Sequence, residues 1–187
     1  MTNTINHHLS YRYCNRGGAI YLLVEGFLWI LSASLGKLSN IPAAILVLLI
    51  GGMLIHPISL LLSRLLKLPK LPKNNPLPVL NTWLALMIPL GIPLVILVTS
   101  GGRTNLFYPA LSILIGAHWL PFTYLYKMKS FIVFSAIFVV IGIYFGFVDT
   151  SSFYVCGFIV GLGHLIFAVT NFLLTQNKLK IQPEYKI

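Results

Sequence analysis

The chain is poor in charge, and poorest in negative charge. Three of its 187 residues are acidic and 9% are charged, against roughly 25% in a water-soluble domain. A water-facing surface cannot be assembled from that inventory. Cysteine is scarce as well: Cys14 and Cys156 stand alone, one expected in a tail and one within a span, so no disulfide framework is implied. The patterns of a nucleotide loop, a GxSxG elbow, a CxxC pair and an HExxH helix are all missing. Both tails are short, which leaves no room for a soluble domain.

Hydrocarbon-like sequence fills the space that charge leaves. The chain is 57% hydrophobic, with a mean hydropathy of +0.88. Six apolar runs stand out, at 18–36, 42–63, 78–99, 105–126, 130–148 and 152–174. Each is near the ~20 residues that a bilayer-crossing helix needs. Strands of a transmembrane barrel alternate in polarity and are about half as long, whereas a helix satisfies its own backbone groups in lipid. The expected fold is all-α: a single integral-membrane domain over 1–187, built as a six-transmembrane-helix bundle with short tails at 1–17 and 176–187.

The net charge of +10 does not point to nucleic acid, which would need a basic stripe interleaved with aromatics. The basic residues fall between the apolar runs instead. With the N-terminus inside, Arg12, Arg16, Arg64, Lys67, Lys70, Lys73, Lys127, Lys129, Lys178, Lys180 and Lys186 share the inner side. Only Lys37 and Arg103 lie outside. Positive charge favours cytoplasmic loops, so both termini are expected in the cytoplasm and the protein in the cell membrane. Arg12, Arg16 and Ser32-Ala33-Ser34 also resemble parts of a cleavable signal, but Glu25 would interrupt its apolar region. The connection KLPKLPKNNPLP at 67–78 alternates Lys with Pro, which bars a continuous helix. It reads as an extended loop near anionic headgroups.

Two further patterns concern the spans themselves. LLIGGMLIHP (48–57) and ILIGAHWLPF (113–122) look alike and hint at repeated helical hairpins. Pro121 is expected to bend the fourth span one turn from His118. A similar break is expected in MIPLGIPLV (87–95), where Pro89, Gly91 and Pro93 interrupt the third; interrupted spans line binding sites in transporters.

NNPLPVL (74–80), followed by GAHWLPFTYLYKMKSF (116–131), resembles an uncharacterised family of small bacterial integral-membrane proteins. Its members share an Asn-Pro-Leu segment and a Gly-Ala-His-aromatic-Leu-Pro-aromatic block. The resemblance implies the six-span fold and topology, and it singles out Asn75, Pro76, Gly116, His118 and Pro121. It implies no activity.

Polar residues inside the spans are the remaining candidates. Glu25 is the only acidic one, and a carboxylate in hydrocarbon is expected to face the bundle interior with a partner. His56, His118 and His164 lie on the second, fourth and sixth spans, each about 20 Å below its outer end at 1.5 Å per residue. That leaves roughly 10 Å of a ~30 Å core, which is also the depth of Glu25 on the first span. On the last span Gly157, Gly161, His164, Ala168 and Asn171 form one small, polar stripe. On the first, Gly18, Glu25, Trp29, Ser32 and Gly36 form another. Small-residue stripes let helices approach closely. The candidate binding residues are therefore Glu25, Trp29, His56, His118, Trp119, His164 and Asn171.

Three function classes fit these features. One is a small carrier, permease or solute-binding membrane subunit, with a Glu/His-lined site for a solute or proton. Another is an intramembrane lipid-modifying enzyme, with His56, His118 and His164 as candidate zinc ligands. The third is a non-catalytic partner or regulatory subunit in a homo- or hetero-oligomer. Membrane lipids are partners in every case. The substrate and any cofactor are left open by the sequence.

Overall fold

A computed structural model of the chain describes residues 2–38, 40–149 and 153–181. Within them every apolar run becomes helix, because lipid offers no other partner for the backbone. After a first helix, α1 (Thr2–Cys14), come α2 (Ala19–Lys37), α3 (Ile41–Leu65) and α4 (Leu77–Thr99). The fourth span is divided into α5 (Phe107–Trp119) and α6 (Phe122–Tyr126), and α7 (Ser130–Phe147) and α8 (Val155–Ile181) complete the fold. Six of these stretches are long and apolar enough to cross a membrane. The protein is a multi-pass membrane protein.

The structure adds to the sequence reading at both ends of the described chain and departs from it in the third span. The stretch read as an N-terminal tail is helical over Thr2–Cys14. Its His8, Tyr11, Arg12 and Cys14 are buried. Hydrophobic patterning misses such a helix because it docks through polar bonds: His8 Nδ1 donates to the Leu125 carbonyl at 3.1 Å, and Arg12 donates to the Leu174 carbonyl at 2.9 Å. The expected break in the third span is also absent. α4 runs unbroken through Pro89 and Pro93, since each proline removes one backbone bond and the remainder of the ladder holds. At the other end, α8 extends past 176 to Ile181; Lys186 lies outside the described residues.

At Pro121 the α-helical bonding is interrupted and the turn tightens. Leu120 and Pro121 keep right-handed helical angles. Their neighbours pair three residues back: Leu120 N–H with the Ala117 carbonyl at 3.3 Å, Thr123 with Leu120 at 3.1 Å and Tyr124 with Pro121 at 3.0 Å. The ring removes one donor, and the turn shortens around the gap.

Packing is centred on two close pairs. α2 lies along α8, and α5 along α7. The α2–α8 crossing is close because glycine meets glycine: a Cβ on Gly26 would stand 2.9 Å from the Gly161 carbonyl oxygen, and one on Gly161 would stand 3.1 Å from that of Gly26. α3 leans on α2 and α4 on α5, and both are peripheral. Only 11% and 17% of their span residues are buried, against 56% and 50% for the first and fourth spans. The α3 and α5 segments that look alike therefore occupy unlike places, one at the rim and one in the core. Aromatic rings fill the middle of the bundle, with Phe131, Phe134 and Phe138 fully buried.

Chain reversal into α2 depends on Gly17 and Gly18, which hold positive φ values of 62° and 79°. A Cβ on Gly17 would also meet the Thr175 hydroxyl at 2.7 Å. The 67–78 connection contains no helix before Leu77. Asn75 ties it down: its Oδ1 accepts from the Leu77 N–H at 2.9 Å, and its Nδ2 donates to the His7 carbonyl at 2.9 Å and to Ser10 Oγ at 3.1 Å. The Asn-Pro-Leu segment is thus a helix start and a clamp for α1 in one residue.

Candidate functional site

The two sequence stripes face each other. Gly18, Glu25, Trp29, Ser32 and Gly36 are all buried, as are Gly157, Gly161, His164, Ala168 and Asn171. Beside the Gly26–Gly161 crossing, Glu25 Oε1 lies 3.4 Å from His164 Nε2. Glu25 is 7% exposed and His164 is 0% exposed. No bulk water reaches the imidazole.

The proton arrangement follows from a second contact. His164 Nδ1 is 2.9 Å from the Val160 carbonyl. A carbonyl cannot donate, so Nδ1 carries a proton, and a neutral ring then turns the Nε2 lone pair toward Glu25. A carboxylate facing a lone pair in a dry site would leave both groups unsatisfied. One proton between Glu25 and Nε2 removes the conflict, whether it rests on the acid or makes an imidazolium. At 3.4 Å the two are at contact distance and beyond the usual hydrogen-bond range.

Aromatic rings box the imidazole. Trp29 stacks on it with centroids 6.1 Å apart, Phe138 lies at 4.5 Å, and Phe134 meets it edge-on at 5.3 Å. Two turns above Glu25, Ser32 donates to the Ala44 carbonyl at 2.6 Å. Its single proton is then committed, so the Tyr108 hydroxyl, 2.7 Å away, donates to Ser32. This link joins α2, α3 and α5. Ser32 lay on the sequence stripe, but Phe134, Phe138 and Tyr108 did not stand out. Aromatics are common in every span, and no spacing within one helix tells which ring will face a neighbour.

The other candidates are elsewhere. His56 is exposed on α3, and its Nδ1 lies 2.9 Å from the Tyr21 hydroxyl. His118 packs against Trp119 and Phe122, at 5.4 Å and 5.1 Å, and its Nδ1 is enclosed with no hydrogen-bond partner. Trp119 is buried in the aromatic core, stacked on Phe131 at 5.7 Å. Asn171 is a strut: it donates to the Gly17 carbonyl at 3.2 Å and accepts from Ser130 at 2.7 Å. Among the described residues no three His, Cys, Asp or Glu side chains converge to hold a metal ion. His56, His118 and His164 do not gather into such a group, and His56 stands apart on the exposed face of α3.

Fold and site define a class: a polytopic helical membrane protein with a buried carboxylate–imidazole pair beside a close glycine–glycine helix crossing. More particularly, the chain belongs to DUF7010, a family of unknown function, whose pattern matches residues 7–174. The match runs from α1 into α8 and so includes the pair, its aromatic box and the Asn75 clamp. No curated protein and no solved structure matches the chain.

Proposed function

We propose that the protein is a small carrier in the cell membrane, with both termini cytoplasmic, and that Glu25 and His164 form its proton-responsive site. The observation that carries the reading is their 3.4 Å contact in the core. With Nδ1 committed to Val160, the pair holds one proton between two groups that cannot both be left bare. Adding or removing that proton changes the charge of the α2–α8 crossing, where glycines leave no slack. Such a crossing responds to charge by moving, because packed interfaces have discrete arrangements.

Trp29 reports on the pair, since it stacks on the imidazole. In the full chain carrying Trp83→Phe and Trp119→Phe, Trp29 emission should show a step with pH. Both His164→Gln and Glu25→Gln should abolish it while leaving the helical content unchanged. In liposomes loaded with a pH-sensitive dye, proton entry under an imposed gradient should fall at least tenfold in Glu25→Gln. A Gln variant that keeps both the step and the flux would overturn the reading and make the pair a structural strut.

A further inference from the structure

Away from the Glu25–His164 pair, the turn joining α6 to α7 carries an open groove of about 500 Å³. Its lining includes Leu120, Thr123, Tyr124, Lys127, Lys129 and Ile132. The turn links the ends of two spans at Tyr126 and Ser130, so the groove straddles the boundary between hydrocarbon and headgroups. Its polarity is graded in the same sense. Leu120 and Ile132 are exposed on the span side, and Lys127 and Lys129 are exposed at the turn.

The basic rim is held in place. Lys127 Nζ sits 4.1 Å from the centroid of the Tyr124 ring, and His8 of α1 meets that ring edge-on at 4.9 Å. The backbone fixes the stem as well. The Lys127 N–H bonds the Tyr124 carbonyl at 3.4 Å, and that of Met128 bonds Thr123 at 3.3 Å, which is the double bond of a Schellman ending. Lys127 occupies its left-handed position at φ 51°, where glycine is the unstrained choice. Among the described residues the non-glycine positions with positive φ are Arg16, Lys67 and Lys127, basic in every case and at the same end of the bundle.

We propose that this groove binds an anionic phospholipid of the adjoining leaflet. The phosphate sits between Lys127 and Lys129, and an acyl chain lies along Leu120 and Ile132. A free anion would leave the apolar wall uncovered. A zwitterionic lipid would bring its own cation against two ammonium groups.

Native mass spectrometry of the full chain in detergent tests this, with phosphatidylglycerol, phosphatidylcholine and inorganic phosphate as the probes. Phosphatidylglycerol adducts should persist at activation energies that strip phosphatidylcholine. The double variant Lys127→Gly, Lys129→Gln should weaken phosphatidylglycerol binding at least tenfold. Its glycine suits the turn, so folding is preserved. The variant Lys70→Gln, Lys73→Gln, outside the groove, should bind as the parent does. Equal retention of phosphatidylcholine, displacement of the lipid by inorganic phosphate, or an equal loss in the Lys70/Lys73 variant would each overturn the proposal.

Discussion

Ser32 uses one hydroxyl to satisfy a carbonyl on α3 and a phenol on α5, and such residues set the precision of the core. Removing it leaves two buried groups without a partner, at a cost of about 1–2 kcal/mol. Ser32→Ala should therefore lower the melting temperature in detergent by several degrees. Ser34→Ala removes only a bond to the Ile30 carbonyl within the same helix and should change stability by less than about 0.5 kcal/mol. Equal, small losses in both variants would show that the Ser32 link carries no weight. The same scale separates true site residues from struts. Asn171 shares a stripe with His164, yet its amide donates to Gly17 and accepts from Ser130, whereas His164 keeps one nitrogen for Glu25.

Among the elements, α1 is the one whose role is least apparent from its composition. It binds the basic ends of three spans: α4 through Asn75, the α6 end through the Leu125 carbonyl, and α8 through Leu174 and Thr175. Docking buries Cys14, and that burial pushes its thiol above the ordinary value, only partly offset by Arg16. A raised thiol holds less thiolate at neutral pH, and thiolate is the reactive form. In a Cys156→Ala background, Cys14 should be alkylated slowly at pH 7 and faster as the pH rises. Asn75→Ala releases the clamp, so it should speed alkylation at pH 7 by exposing the thiol and relieving the burial that holds it raised. An unchanged rate would show that α1 does not depend on Asn75.

For the whole molecule, the two ends differ in charge, and the fold makes use of the difference. Arg12 and Arg16 at the α1–α2 junction, the α3–α4 loop lysines and the α6–α7 lysines all lie at the end where α1 docks. That end is expected inside, because basic loops resist translocation. Reporter fusions at residues 70 and 187 should read as cytoplasmic and one at residue 102 as external. An external reporter at 187 would sink both the orientation and the six-span reading. The peripheral α3 and α4 give the bundle an unequal cross-section, with a dense core of α2, α5, α7 and α8 and two outer helices that mostly face lipid.

Much of this architecture is local, and the sequence determines it. The length and continuity of each apolar run decide that it is a helix and that it spans, because backbone groups in hydrocarbon must bond within their own segment. The stripes on the first and last spans decide that Glu25, Trp29, Ser32 and His164 point inward, since period alone puts small and polar residues on one face. Other features needed the tertiary structure. Depth placed Glu25 level with three histidines, and the pairing with His164 followed from which helices touch and how each is rotated. The Gly26–Gly161 crossing brings α8 against α2, while α3 presents His56 at the rim to Tyr21. Likewise α1 carries no apolar signal, because what holds it are hydrogen bonds to partners more than sixty residues away in the chain. Proline in α4 and at the α5–α6 junction looks alike on the page. One helix absorbs it and the other tightens, because the surrounding backbone bonds and packing decide how a missing donor is accommodated.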